Sequence, residues 1–414
     1  MSTTVLTHQF DNGLVLLAEP MEWLESAAFA LLLPGGSCND PTGLEGISNF
    51  TCEMVQRGCG GRSSRQFVDE LEKLGVDRGA AVSNAHASYG GAMLANTLFL
   101  ALEIYADLVR CPHLPEEQLH DGRQVCFQEL RAVEDDVAQK VMNVLRQKIY
   151  PDPWGRVCHG SEEALERITI GDIRNHFQAT YHPRGAILAV AGKIQWEPLV
   201  DHVAKLFGDW QPVLGEPLNE TVNSSEYQHL DYPSSQTHIG VAFDCVPYSH
   251  PDYYQARASV GVLSDGMSSR LFTEVREKRG LCYSVYATMN SLKDRGAVLC
   301  YSGTSTTRAQ ETLDVLMAEL VRLRKGVAED ELDRLKARIK STLIMQQESS
   351  RSRTSSIAAD WYLLGQVQTL QDISQRVDDL SCESINTYLA AHPPADFVTV
   401  TLGSQPLEVP IEVS

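Results

Sequence analysis

The sequence has no apolar run that approaches the ~18–20 residues needed to span a bilayer, so we expect no membrane span. Its ten cysteines are scattered and include no Cys-x-x-Cys pair, which is typical of free thiols in a reducing compartment. No Gly-x-x-x-x-Gly-Lys-Ser/Thr phosphate loop is present. Residues 1–8 have neither the basic nor the apolar region of a secretion signal. These absences together predict a cytoplasmic protein.

Length and charge narrow the possibilities further. A chain of 414 residues is long for one core and predicts two or more domains. The net charge of −19 disfavours nucleic acid and anionic membrane surfaces as partners. The same charge is compatible with a cavity that attracts basic peptides, although acidity that only serves solubility is the simpler interpretation.

An internal repeat is the clearest signal of organisation. Three segment pairs share nearly one register: residues 175–183 and 386–394, residues 186–192 and 397–403, and residues 115–119 and 328–332, at offsets of 211, 211 and 213. The repeat predicts two homologous halves, residues 1–212 and 229–414. Gly, Pro, Asn and Ser cluster between them and predict a linker over residues 213–228.

Strand and helix patterns segregate in runs within each half. Apolar strand candidates come first, and helical patterns follow; in the first half these are residues 13–18 and 27–33, then 46–57, 64–74 and 116–150. Ser63 and Gln66 predict a capping box before the second helix. Such runs favour an α+β fold, in which mainly antiparallel sheets pack against helices.

Residues 46–54 have the frame of a zinc-peptidase helix without its zinc chemistry. Inverzincin peptidases carry His-x-x-Glu-His on such a helix, with two metal ligands one turn apart and a general base between them. The corresponding positions here hold Asn49, Cys52 and Glu53.

Motifs outside this helix carry the same resemblance. They are Arg62-Ser-Ser64, Leu71-Glu-Lys-Leu-Gly75, Tyr181-His-Pro-Arg-Gly185, Phe207-Gly-Asp-Trp210 and Val275-Arg-Glu-Lys-Arg-Gly-Leu-Cys-Tyr283. Over nearly its whole length the chain resembles the pitrilysin/insulinase family of zinc peptidases. The resemblance implies two halves arranged around a central cleft. It also implies that Glu129 is the retained third zinc ligand and that Gly122 replaces a supporting acidic residue.

The carried-over site is poorly suited to zinc. Zinc favours nitrogen and sulfur ligands, whereas Asn49, Glu53 and Glu129 would offer only oxygens. Cys52 points about 100° away from Glu53 around the helix and, with an ordinary pKa of ~8.5, is a poor general base. We therefore expect no metal and no catalytic residue in this chain. A small buried thiol is the simplest interpretation of Cys52, and a Cys-nucleophile peptidase is the alternative.

The second half retains what the first has lost. The resemblance assigns Arg276 and Tyr283 to substrate binding, in which they reach the substrate and stabilise the oxyanion of a tetrahedral intermediate. A solvated arginine and a core tyrosine are the alternative. His182 and His392 precede prolines in repeat-equivalent loops, and we interpret them as structural.

Family members occur as single long chains or as pairs of half-length subunits, and in some pairs one subunit lacks the zinc site but carries the arginine–tyrosine pair. Our first hypothesis is therefore a non-catalytic, peptide-binding subunit of a heteromeric zinc peptidase. Its partner would be a half-length catalytic subunit carrying His-x-x-Glu-His and the zinc, and this chain would need no cofactor. In isolation it could form a homodimer. The alternatives are a structural scaffold without peptide handling and a divergent peptidase with altered metal or cysteine chemistry.

Overall fold

The structure, a computed structural model, describes residues 4–215, 218–222, 226–346 and 348–410. Its strands are β1 Leu6–Gln9, β2 Val15–Pro20, β3 Ser26–Leu33, β4 Asp77–Val82, β5 Ala87–Leu94, β6 Ile187–Gly192, β7 Tyr227–Asp231, β8 Gln236–Cys245, β9 Cys282–Ser291, β10 Gly296–Ser305 and β11 Val398–Gly403.

The α-helices fall between the strands, mostly in runs. They are α1 Ile47–Val55, α2 Ser64–Lys73, α3 Leu98–Arg110, α4 Leu119–Asp135, α5 Val137–Ile149, α6 Glu162–Arg167, α7 Ile170–Thr180, α8 Trp196–Phe207, α9 Tyr253–Ser264, α10 Ala309–Arg322, α11 Glu329–Gln346, α12 Ser350–Leu364, α13 Leu370–Asp378 and α14 Cys382–Ala391. The capping box at Ser63 and Gln66 is present, as predicted.

Two sheets with the same strand connectivity form the framework. The first has the order β1-β2-β6-β3-β5-β4 and the second β7-β11-β8-β10-β9. When β1 is set aside, the strands of the two sheets correspond one to one in their order: β2 to β7, β6 to β11, β3 to β8, β5 to β10 and β4 to β9. Only β2–β6 and β7–β11 pair in parallel, and the remaining described pairs are antiparallel. The predicted α+β fold with two homologous halves and mainly antiparallel sheets is confirmed.

The compact units do not coincide with contiguous halves of the sequence. The first unit consists of Met1–Ala132, Asp152–Thr221 and Met345–Thr369, and the second of Val133–Pro151, Val222–Ile344 and Leu370–Ser414. The first unit therefore includes α12 and the second includes α5. Residues 216–217 and 223–225 of the predicted linker lie outside the described residues, so the boundaries 1–212, 213–228 and 229–414 stay a prediction.

In the first unit, the sheet is apolar on both faces. Successive side chains of a strand point to opposite faces, so Leu14 and Leu16 join the main core. Val15 and Leu17 join a second cluster, together with Ile357 of α12. Helix α12 thus covers the face of β2, β3 and β6 that the main core leaves open.

A buried ion pair accompanies this packing. Glu19 lies two and four residues from Leu17 and Val15 on β2 and therefore points to the same face of the sheet. The Nε atom of Arg353 on α12 lies 2.7 Å from the Oε2 atom of Glu19. The two side chains are only 1 % and 3 % exposed. Desolvation makes each charge costly without the other, so the pair ties α12 to β2.

In the second unit, α5 covers a sheet face in the equivalent way. It packs against β8, β10 and β11. A Cβ atom at Gly240 of β8 would lie 2.9 Å from Cγ1 of Val141 and 3.3 Å from Cδ2 of Leu145. The missing side chain at Gly240 is therefore what lets α5 approach the strand.

The single helical region predicted over residues 116–150 is wrong in one respect. It is broken at Asp136, whose side chain accepts a hydrogen bond from the amide of Gln139 and caps α5. The apolar spacing continues through the break, which explains why the pattern looked unbroken. Helix α4 and helix α5 cover different cores.

We expect Arg353→Met to lower the free energy of unfolding by about 3–5 kcal/mol, because Glu19 would remain as a buried, uncompensated charge. Urea unfolding, monitored by circular dichroism, measures the change in the free energy of the transition in which the first unit unfolds. The control is Arg351→Ala, which removes a largely exposed ion pair with Asp77 from the same helix and should cost about 0–1 kcal/mol. Equal effects of the two changes would contradict the role given to the buried pair.

We expect Gly240→Ala to destabilise the second unit by about 1–3 kcal/mol, because the new methyl group overpacks against α5. Adding Val141→Ala should restore part of the loss by vacating the contact. Gly79→Ala is the matched control, since a Cβ atom at this strand position meets no atom within 4 Å. Thermal unfolding of the four proteins checks the order, and an unaffected Gly240→Ala protein would refute the packing argument.

Candidate functional site

Helix α1 carries three of the four positions that the resemblance assigns to a zinc site. Its N-terminus is held by Asp40, whose carboxylate accepts hydrogen bonds from the amides of Gly46 at 2.6 Å and Ser48 at 3.1 Å. Ile47, Phe50 and Met54 point into the core. Asn49 and Glu53 lie on the other side of the helix, where α4 passes.

The structure brings Asn49 and Glu129 together. The Nδ2 atom of Asn49 donates a hydrogen bond to Oε2 of Glu129 on α4 at 2.8 Å. Two residues 80 positions apart, at which the resemblance places two zinc ligands, thus bind each other directly.

Glu53 has a different partner. The guanidinium of Arg57 lies one turn along the helix and donates two hydrogen bonds to Oε1 of Glu53, at 2.7 and 3.0 Å. Burial raises the pKa of the Glu53 carboxyl above its ordinary value, and the bonds from Arg57 oppose that rise. Sequence reasoning missed Arg57, although the i,i+4 spacing of an acid and a base on a helix was the available signal.

Gly122 leaves room that neighbouring side chains fill. A Cβ atom there would lie 2.7 Å from Sδ of Met54, 3.1 Å from Cε2 of Phe50 and 3.3 Å from Nε of Arg57. Any larger residue at this position, including an acidic one, requires Met54 to move.

Cys52 is directed away from these groups. Its side chain is buried, and burial raises the pKa of the thiol to about 12, although a hydrogen bond with Tyr89 acts in the opposite direction. The hydroxyl of Tyr89 in turn lies 2.7 Å from that of Tyr181. The thiol therefore belongs to a closed polar group in the core.

These residues do not fit a catalytic zinc ion. The Asn49 amide is engaged by Glu129, Glu53 is neutralised by Arg57, and the Cys52 thiol is buried and protonated. Within the described ranges, no three His, Cys, Asp or Glu side chains converge at this position. Zinc prefers nitrogen and thiolate donors, which this group does not supply.

Arg276 and Tyr283 lie side by side in the second unit. The guanidinium carbon of Arg276 stands 5.0 Å from the centre of the Tyr283 ring and 4.8 Å from that of Phe272. Tyr283, at the start of β9, is 84 % exposed, so the core tyrosine that we considered as an alternative is wrong. Arg276 belongs to a π-helical turn, Phe272–Glu277, a geometry that is frequent at functional sites.

Neighbouring cations are neutralised, whereas Arg276 is not. Glu274 binds both Lys278, at 2.7 Å, and Arg279, at 2.8 Å. Within the part of the chain that the structure describes, the guanidinium of Arg276 forms no ion pair and no hydrogen bond, and only aromatic rings hold it. A cation stacked between rings keeps its donors free for a ligand.

Two family models match the chain. Residues 17–156 match the model described as Insulinase (Peptidase family M16), and residues 167–339 match the Peptidase M16 inactive domain. The chain belongs to the pitrilysin/insulinase family. No helix among the described residues has the length and apolar character that crossing a membrane requires.

Bacterial relatives and solved structures are similar over nearly the full length. Proteins of Bacillus subtilis and Rickettsia felis, each described as an uncharacterized zinc protease, are 26 % and 25 % identical to the chain. The first match covers 91 % of this chain and 92 % of that protein, and the second covers 90 % and 91 %.

Two solved structures share the fold. A peptidase M16 inactive domain from Pseudomonas fluorescens has a TM-score of 0.89 at 21 % identity and covers 98 % of this chain and 100 % of that one. A protease from Helicobacter pylori has a TM-score of 0.90 at 20 % identity, with 97 % and 100 % covered.

We expect Cys52 to resist alkylation in the native protein. With a pKa of about 12, its thiolate fraction at pH 8 is on the order of 10⁻⁴, and the thiol is also shielded from solvent. Brief treatment with iodoacetamide at pH 8, followed by peptide mass spectrometry, should label exposed Cys111 and leave Cys52 unmodified until urea is added. Rapid native labelling of Cys52 would instead favour the cysteine-nucleophile alternative.

Proposed function

We propose that this chain is the non-catalytic, substrate-binding subunit of a heteromeric zinc peptidase. The proposal includes a separately encoded, half-length partner that carries His-x-x-Glu-His and binds the zinc. The chain itself then holds no zinc at positions 49, 52, 53 and 129, and it contributes no general base.

The exposed pair of Arg276 and Tyr283 is the observation that carries the proposal. Tyr283 is 84 % exposed, and its ring centre lies 5.0 Å from the guanidinium carbon of Arg276, which supports a binding role for the pair. The two side chains offer a phenolic hydroxyl and several guanidinium donors. Such donors suit a peptide carbonyl and the oxyanion that develops from it during hydrolysis.

The first unit supports the non-catalytic part of the proposal. Asn49 with Glu129, and Glu53 with Arg57, satisfy one another's polar groups without a metal. A hydrolytic site requires a metal-bound water and a positioned base, and the buried thiol of Cys52 provides neither.

The test begins with the partner. The tagged chain is purified from native cells, and co-purifying proteins are identified by mass spectrometry. We expect a half-length chain with His-x-x-Glu-His, and the reconstituted complex should cleave peptides while this chain alone does not. Recovery of only a homodimer would favour the scaffold alternative.

In the reconstituted complex, we expect Tyr283→Phe and Arg276→Ala each to lower kcat by about 10²–10³, because a donor to the developing oxyanion is lost. Assembly, measured by gel filtration, should not change. Tyr286→Phe is the matched control, since it removes a hydroxyl from a tyrosine of the same strand, three residues away. Wild-type turnover by the Tyr283→Phe, Arg276→Ala double variant would reject the substrate-binding function.

A further inference from the structure

Three potential metal ligands meet at one end of α9 and α14. His250 and Asp252 lie in the turn before α9, and His392 is the residue that caps the C-terminus of α14. One ligand atom from each lies within 4.8 Å of the others. Among the described residues, no other group of three such side chains converges in this way.

The three side chains lie close to one another. The rings of His250 and His392 are 5.7 Å apart and nearly perpendicular, at 83°. An oxygen of Asp252 lies 3.9 Å from Nδ1 of His250. That same nitrogen accepts a hydrogen bond from the amide of Asp252 at 3.1 Å, so its lone pair is directed toward Asp252.

The surroundings orient His392. The ring of Tyr388, one turn earlier on α14, stacks on His392 at 5.2 Å, and the Tyr388 hydroxyl lies 3.5 Å from the sulfur of Cys245. Helix α14 packs against α9. The C-terminal end of α14 carries partial negative charge that attracts a cation, whereas the N-terminal end of α9, at Asp252, carries partial positive charge that opposes it.

We propose that His250, Asp252 and His392 form a binding site for a divalent transition-metal ion, and that Zn²⁺ is its ion. Two imidazoles and one carboxylate match the donors that zinc selects, whereas Mg²⁺ and Ca²⁺ require oxygen donors. Three protein ligands leave the fourth tetrahedral position to water. This proposal departs from our expectation that the chain binds no metal.

Binding requires a small local closure. In a tetrahedral zinc site with bonds of ~2.0–2.1 Å, donor atoms lie roughly 3.3–3.4 Å apart, so the present separations must shorten. The side chains of His250 and Asp252 are 34 % and 45 % exposed, so they can move without repacking the core. The metal would take the Nδ1 lone pair of His250 in place of the Asp252 amide.

The bound ion would join the turn before α9 to the end of α14 within the second unit. The site lies in a different unit from Asn49, Cys52, Glu53 and Glu129, so zinc bound here is independent of the inherited peptidase site.

The test uses the full chain, stripped with EDTA and then titrated with Zn²⁺ alone against a chromophoric chelator under reducing conditions. We expect one zinc per chain. His250→Gln, Asp252→Asn and His392→Gln should each weaken binding by at least about 10–100-fold, the loss typical of removing even an outer partner of a ligand. Zinc should raise the Tm of the wild type and not that of the His250→Gln, His392→Gln double variant.

Two controls make the outcome decisive. His120→Gln removes an exposed histidine of α4 and should bind zinc like the wild type. The Co²⁺-loaded protein should show no thiolate charge-transfer absorption, because none of the ten cysteines should bind the metal. Either of two results would overturn the proposal. One is the absence of stoichiometric zinc in the wild type. The other is zinc binding that persists in the double variant, when the Tm of the EDTA-treated double variant equals that of the EDTA-treated wild type.

Discussion

The Arg353–Glu19 ion pair joins α12 to the first sheet through two buried charges. This contact marks a constraint on which both units depend. Each sheet is apolar on both faces, and the helices from its own half of the sequence cover only one of those faces. The other face is covered by α12 in the first unit and by α5 in the second. These helices follow repeat-equivalent helices α4 and α11, so one packing solution occurs twice in the chain.

At the positions that the resemblance assigns to a zinc site, polar side chains bind one another. Positions 49 and 53 hold Asn and Glu, and both side chains have protein partners: Glu129 accepts a hydrogen bond from Asn49, and Glu53 binds Arg57. The space at Gly122 is filled by Met54. Reversing the site would therefore require more than restoring three side chains, because the ion pair and the packing around it would compete with a metal.

Chemically available groups lie instead in the second unit. Arg276 lies within 5.0 Å of the ring centres of Phe272 and Tyr283, and its guanidinium has no hydrogen-bond partner among the described residues. His250 and His392 converge where two helix ends meet. Both features are solvent-accessible and polar, unlike the buried thiol of Cys52.

The sequence by itself determined the α+β class, the repeat and the local helix signals, because periodicity, turn residues and caps such as Ser63 with Gln66 act over a few residues. It also indicated, through family resemblance, that Asn49 and Glu129 share a site. Only the tertiary structure decided which sheet α5 and α12 cover, since an apolar helix face does not specify its partner. The same holds for the break at Asp136, the pairing of Glu53 with Arg57 and the meeting of His250 with His392. These depend on contacts between residues whose neighbours are set by the packing of the chain, and no local pattern records them.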